Sequence, residues 1–151
     1  MCKTIKQKVK FDAPPEVIYD LLTDSKKYSA VTGKKAVIGK SSGDNFSVYG
    51  GQATGLIVEL VPGKRIVQAW RGHSFPAGVF SMATFNLAAI SDSKTELVLT
   101  HRGVPKEMIT FIENGWKKYN WEPIKKYLAK KEVADKEASL TGVDKYLRNR
   151  G

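Results

Sequence analysis

The stretch that decides the architecture is Glu107-Met-Ile-Thr-Phe-Ile-Glu-Asn-Gly-Trp-Lys-Lys-Tyr-Asn-Trp-Glu-Pro-Ile-Lys-Lys-Tyr-Leu-Ala-Lys130. Met108, Ile109, Phe111, Ile112, Trp116, Tyr119, Ile124, Tyr127 and Leu128 follow the spacing of one helical face. The pattern predicts the longest helix of the chain. Two residues disturb it. Gly115, beside Trp116, costs about 1 kcal/mol relative to alanine in a helix, so close backbone approach or room beside the tryptophan must offset that cost. Pro123 lacks an N–H and its ring clashes with the carbonyl of Tyr119, which predicts a kink or a boundary near Asn120.

Upstream, the period is that of strands. Residues 3–11 alternate Ile5, Gln7, Val9 and Phe11 with Lys6, Lys8 and Lys10, which predicts a first strand with one wet face. Asp12-Ala-Pro-Pro-Glu16, a capping residue followed by prolines, opens a short helix from about Pro15 to Thr23. Asp24-Ser25 can cap a second one, ended by Gly33. From Lys34 to Val104, short alternating runs are separated by Gly43-Asp44, Gly50-Gly51, Pro62-Gly63 and Ser91-Asp92-Ser93-Lys94. The longest of these strands are about Lys64 to His73, Phe80 to Ile90 and Thr95 to Val104.

A curved antiparallel sheet must cover its concave face, and only the C-terminal helix is long enough to do so. The predicted fold is α+β and helix-grip: a curved seven-stranded antiparallel sheet wrapped around a long C-terminal helix, with two short helices after strand 1. Residues 1–130 form a single domain, and residues 131–151 read as a polar, flexible or loosely docked tail. The space between sheet and helix is where a ligand pocket would form.

Three motifs sharpen this reading: Val61-Pro-Gly-Lys-Arg-Ile-Val-Gln-Ala-Trp-Arg71, Thr95-Glu-Leu-Val-Leu-Thr-His-Arg-Gly-Val-Pro105 and Asn114-Gly-Trp116. In this order they resemble the C-terminal-type domain of the heat-shock protein 90 ATPase activator family, within the START-like or SRPBCC helix-grip superfamily. The resemblance covers about residues 3–130. It implies heat-shock protein 90 as a partner, whereas the fold itself hosts lipid carriers, cyclases, hydrolases and co-chaperone modules.

The candidate ligand-binding residues are Trp70, Phe80, Met82, Leu97, Leu99, His101, Ile112, Trp116 and Tyr119. His101 shares the inward phase of Leu97 and Leu99, so it either orients a ligand or acts as an acid or base, or is a buried histidine satisfied by a carbonyl or hydroxyl. Trp70 and Arg71 point to opposite faces, with Trp70 inward and Arg71 a solvated charge outside. Between Phe80 and Ile90 neither phase is charged, and Phe80 and Met82 are candidates for a pocket wall. His73, in Gly-His-Ser-Phe-Pro, reads as exposed. No catalytic residue, metal site or cofactor is assigned, because P-loop, dinucleotide-binding, His-Glu-x-x-His and Gly-x-Ser-x-Gly signatures are missing.

Composition narrows the classes further. The 151 residues, 42% hydrophobic and 26% charged, suit one globular domain. No apolar run approaches the ~20 residues of a membrane span, and the N-terminus lacks the apolar region of a signal peptide. Cys2, the only cysteine, permits no intramolecular disulfide, and the expected compartment is the cytoplasm. The net charge of +10 is uneven: 9 basic and 4 acidic residues in 1–40, 8 and 7 in 41–124, and 8 and 4 in 125–151. No aromatic residues interleave with the outward lysines of strand 1, so no specific nucleic acid is expected. The leading functional expectation is a non-enzymatic domain that binds a small hydrophobic or amphipathic molecule between sheet and helix. The alternatives are a co-chaperone-like module that stimulates the heat-shock protein 90 ATPase, or a small cyclase or hydrolase using His101 and a tyrosine.

Overall fold

The computed structural model describes the backbone of residues 2–148 and the side chains of residues 3–138. Among them, seven strands form one antiparallel sheet: β1 (Cys2–Phe11), β2 (Val37–Ile38), β3 (Asn45–Val48), β4 (Ala53–Val61), β5 (Arg65–Gly72), β6 (Ser81–Ser91) and β7 (Lys94–Pro105). Their order is β1-β7-β6-β5-β4-β3-β2, a meander in which the first strand returns beside the last. The helix-grip prediction holds in each part.

The alternation in β1 decides which face is inside. Ile5, Val9 and Phe11 are buried, whereas Lys6, Lys8 and Lys10 are exposed. In β7 the inward residues Leu97 and Leu99 are wholly buried, each contributing about 1.5–3 kcal/mol of apolar transfer. A bulge sets Arg102 and Gly103 against Thr4. Gly103 takes φ +79, a conformation open to glycine at little cost, and the strand bends just after His101.

Two short helices follow β1: α1 (Pro15–Thr23) and α2 (Ser25–Thr32). Pro14, not Asp12, stands at the N-cap of α1 and makes no side-chain cap bond. Asp12 lies 3.9 Å from Lys94 instead. Asp24 caps α2 as expected, accepting from the Lys27 N–H at 2.9 Å, and this bond holds its carboxyl below the usual range.

The grip helix has two parts, α3 (Ile109–Trp116) and α4 (Glu122–Arg148), joined by a π-helical turn over Lys117–Trp121. Pro123 explains the turn. With no N–H to give the Tyr119 carbonyl, the α pattern cannot continue there, and the Glu122 N–H bonds five residues back to Lys117. Trp116 and Trp121, five apart, thereby lie on the same side and stack at 5.7 Å with 16° between planes. In backbone, α4 runs on through the region expected to be a tail, and its residues 129–138 are all exposed. Residues 149–151 lie outside the described residues. No described helix is long and apolar enough to cross a membrane.

Candidate functional site

The inward side of β5, β6 and β7 carries a line of polar contacts beneath α3. Trp116 donates its indole N–H to Nδ1 of His101 at 3.1 Å, and Nε2 of His101 lies 2.7 Å from Ser81 Oγ. Ser81 in turn donates to the Trp70 carbonyl at 2.6 Å. Because Nδ1 accepts and the serine proton is committed to Trp70, the imidazole proton sits on Nε2. His101 is a neutral, fully bonded, wholly buried group, and burial lowers its pKa to about 4. Its bond from the Trp116 indole N–H fixes the orientation of that ring against the sheet.

An aromatic cluster surrounds it. The Trp70 and His101 rings meet at 4.9 Å and Trp70 and Trp116 at 5.7 Å, and Phe85 packs edge-on against Trp116 at 5.5 Å. Gln7, the inward polar residue of β1, accepts from the Trp121 indole at 2.7 Å and donates to the Glu113 carbonyl at 3.0 Å. The first strand is thus fastened both to α3 and to the last residue of the π turn.

Beside this cluster a cavity of about 600 Å³ opens between the sheet and α3. Trp70, Phe75, Ile112 and Trp116 form its apolar walls, and Met108, Phe111 and Tyr119 lie around its mouth. Lys34 and His73 are at its rim. The Trp70 indole N–H bonds to no described residue, leaving one wall donor free. Gly115 also lines the space: a Cβ there would meet only Tyr119, at 3.9 Å. Gly115→Ala should therefore raise stability by up to about 1 kcal/mol, or Tm by about 2–4 °C, in a thermal melt. A loss of stability would show that the backbone here is held close to the sheet.

Tyr49 lines the far side, at φ +54, the one positive φ among described non-glycine residues. Gly50 and Gly51 continue this left-handed turn, and the Gly50 N–H is fixed to the Lys35 carbonyl at 2.9 Å. Tyr28 donates its hydroxyl proton to Asn120 Oδ1, so Tyr49 donates to Tyr28, at 2.8 Å. Burial raises the pKa of both phenols and keeps them protonated. Asn120, wholly buried at the π turn, has an Nδ2 with no partner among the described residues.

The expected site residues divide into four groups. Trp70, Ile112 and Trp116 line the cavity, and Tyr119 stands 51% exposed at its mouth. His101 lies behind the wall. Leu97 and Leu99 belong to the solid core. Phe80 and Met82 are corrected outright: Ser81, Ala83 and Phe85 take the inward phase, leaving Phe80 49% and Met82 39% exposed on the outer face. Arg71 is a second correction. Its guanidinium is no free surface charge; it donates to the carbonyls of Phe75, Pro76 and Val79 and ties the loop after β5. That loop folds Phe75 into the wall, while His73 is exposed as read.

Sheet, grip helix and intervening cavity define a START-like helix-grip domain. The family model for activator of Hsp90 ATPase homolog 1-like protein matches residues 12–129, and the chain belongs to that family. It is 35% identical over 125 residues, 82% of its length, to activator of 90 kDa heat shock protein ATPase homolog 1 of Homo sapiens. It is 32% identical over 123 residues, again 82%, to the homolog from Dictyostelium discoideum. The chain spans about a third of each relative's length (36% and 32%). The crystal structure of an HSP90 activator from Plasmodium falciparum superposes with a TM-score of 0.80 at 22% identity, covering 83% of this chain and 96% of that one, which supports the fold.

Proposed function

We propose that this domain binds the 90 kDa heat shock protein and raises its ATPase activity. The observation that carries this reading is the 35% identity over 82% of the chain to a relative named as an activator of that ATPase. A cytoplasmic setting belongs to the same proposal, in keeping with the single cysteine. Calorimetric titration of the purified chain into the purified chaperone tests it. Saturable binding that weakens with added salt is expected, since the chain carries +10. An absence of binding heat, with no complex by sedimentation, would remove the reading.

The cavity favours a second role. Its volume of about 600 Å³ lies in the range of small-molecule sites, its walls are aromatic, and Lys34 is the one fully charged residue around it. We infer that it accepts a small apolar or amphipathic molecule whose polar end meets Lys34 or the Trp70 N–H. Hydrophobic probe molecules should raise Tm in a thermal-shift series, and Gly115→Leu, which pushes a side chain into the space, should abolish the rise. Equal shifts for both proteins, or none for either, would count against the cavity as a site.

A further inference from the structure

The outer face of the sheet carries an apolar patch that the cavity does not use. Leu56 of β4, Ala69 of β5 and Met82 of β6 are cross-strand partners in a single row, with Leu56 41% and Met82 39% exposed. The irregularity between Ile57 and Glu59 adds Val58, 47% exposed, to the same face. Phe80, two residues before Met82 along the chain, is 49% exposed and lies 5.9 Å from the Arg71 guanidinium. Single exposed apolar side chains are ordinary, but four large ones side by side mark an interaction surface.

Charge around the patch says what it would meet. Arg102 is the direct cross-strand partner of Met82, and beyond β7 the outward residues of β1 are Lys6, Lys8 and Lys10. All four cations are exposed, and none forms an ion pair with a described residue. The carboxylates on this face are Glu59, held by Arg65 at 2.6 Å, and Glu96, opposite Lys10. The surface is therefore apolar at its centre and cationic along one side. Two copies of a +10 chain would bring like charges together here, which disfavours self-association.

We propose that this face docks an acidic protein surface presenting apolar side chains among carboxylates. The inference rests on the chaperone-binding reading and names the surface through which that contact is made. The test compares wild type with Leu56→Ser/Met82→Ser, with Lys6→Glu/Lys8→Glu, whose cross-strand partners Thr100 and Val98 are uncharged, and with Val37→Ser, an exposed apolar residue on the sheet's opposite edge strand. Affinity for the purified 90 kDa heat shock protein is measured at low and moderate salt, and folding is followed by thermal melts. Each of the two patch variants should bind at least tenfold more weakly at unchanged Tm. The charge variant should also lose much of the salt dependence, and Val37→Ser should bind like wild type. Wild-type affinity in both patch variants would overturn this surface and leave the chaperone reading intact, whereas a wild type that does not bind would overturn both. A concentration-dependent dimer abolished by Leu56→Ser/Met82→Ser would assign the face to a second copy and overturn the acidic partner.

Discussion

Gly55→Ala is expected to be the most damaging single-methyl change in the sheet. A Cβ at this position would lie 1.8 Å from the backbone oxygen of Ala69 and 3.0 Å from the Phe46 ring. Gly55 is paired with Trp70 and its neighbour Leu56 with Ala69, so relieving the overlap means breaking the β4–β5 ladder beside the cavity wall. No rotamer change helps, because the obstacle is main chain. The expected loss exceeds about 3 kcal/mol, or about 6–12 °C in Tm, by far-ultraviolet circular dichroism. Gly72→Ala is the comparison: its Cβ would meet the Phe75 ring at 3.4 Å, an ordinary contact with a side chain. Similar small losses for both would show that β4 and β5 do not approach as closely as the structure has it.

The second large effect is on pH dependence. In the unfolded chain a histidine binds its proton near pH 6.5, whereas folded His101 does so only at about 4, because burial disfavours the cation and a second ring N–H would face the Trp116 donor. Between these values the unfolded state holds more protons, so stability rises with pH across the window. It is complete above about 6.5 and lost on acidification toward 4. The full swing is about 3 kcal/mol. Denaturant unfolding at pH 7, 5.5 and 4.5 should show most of that loss in wild type and much less of it in His101→Gln, whose amide can still accept from Trp116 and donate to Ser81. Parallel curves for the two proteins would mean that other groups carry the acid sensitivity. Asp24 does not compete in this window, because its lowered pKa places its titration at more acid values.

How much of this was legible in the sequence depends on how sharply each segment was patterned. β1 alternates lysine with apolar residues, so its faces were readable, and proline and glycine pairs marked the turns that separate the strands. α1 spans Pro15–Thr23 as read, because proline fixes its start and the apolar spacing its face. β6 was ambiguous for the opposite reason. Neither of its phases is charged, and the cross-strand partners that place Ser81 and Ala83 inside are not local in sequence. Tyr119 lies at the cavity mouth rather than deep in its wall, and Trp121 and Asn120 were passed over, because strict α spacing does not survive the π turn. Pro123 gave warning of a break, and a pair of tryptophans five apart just before it was the usable sign of its kind. Phe75 could not be read from its loop, since what folds it inward is Arg71 gripping three carbonyls.

Fold and family follow from these contacts and from the match over residues 12–129. The most direct measurement is the steady-state ATP hydrolysis rate of purified 90 kDa heat shock protein as the wild-type chain is titrated in, with residual hydrolysis by the chain alone subtracted. A saturable increase in rate, reduced by added salt and by Leu56→Ser/Met82→Ser, is the predicted result. A flat rate at concentrations where calorimetry also detects no complex would contradict the account.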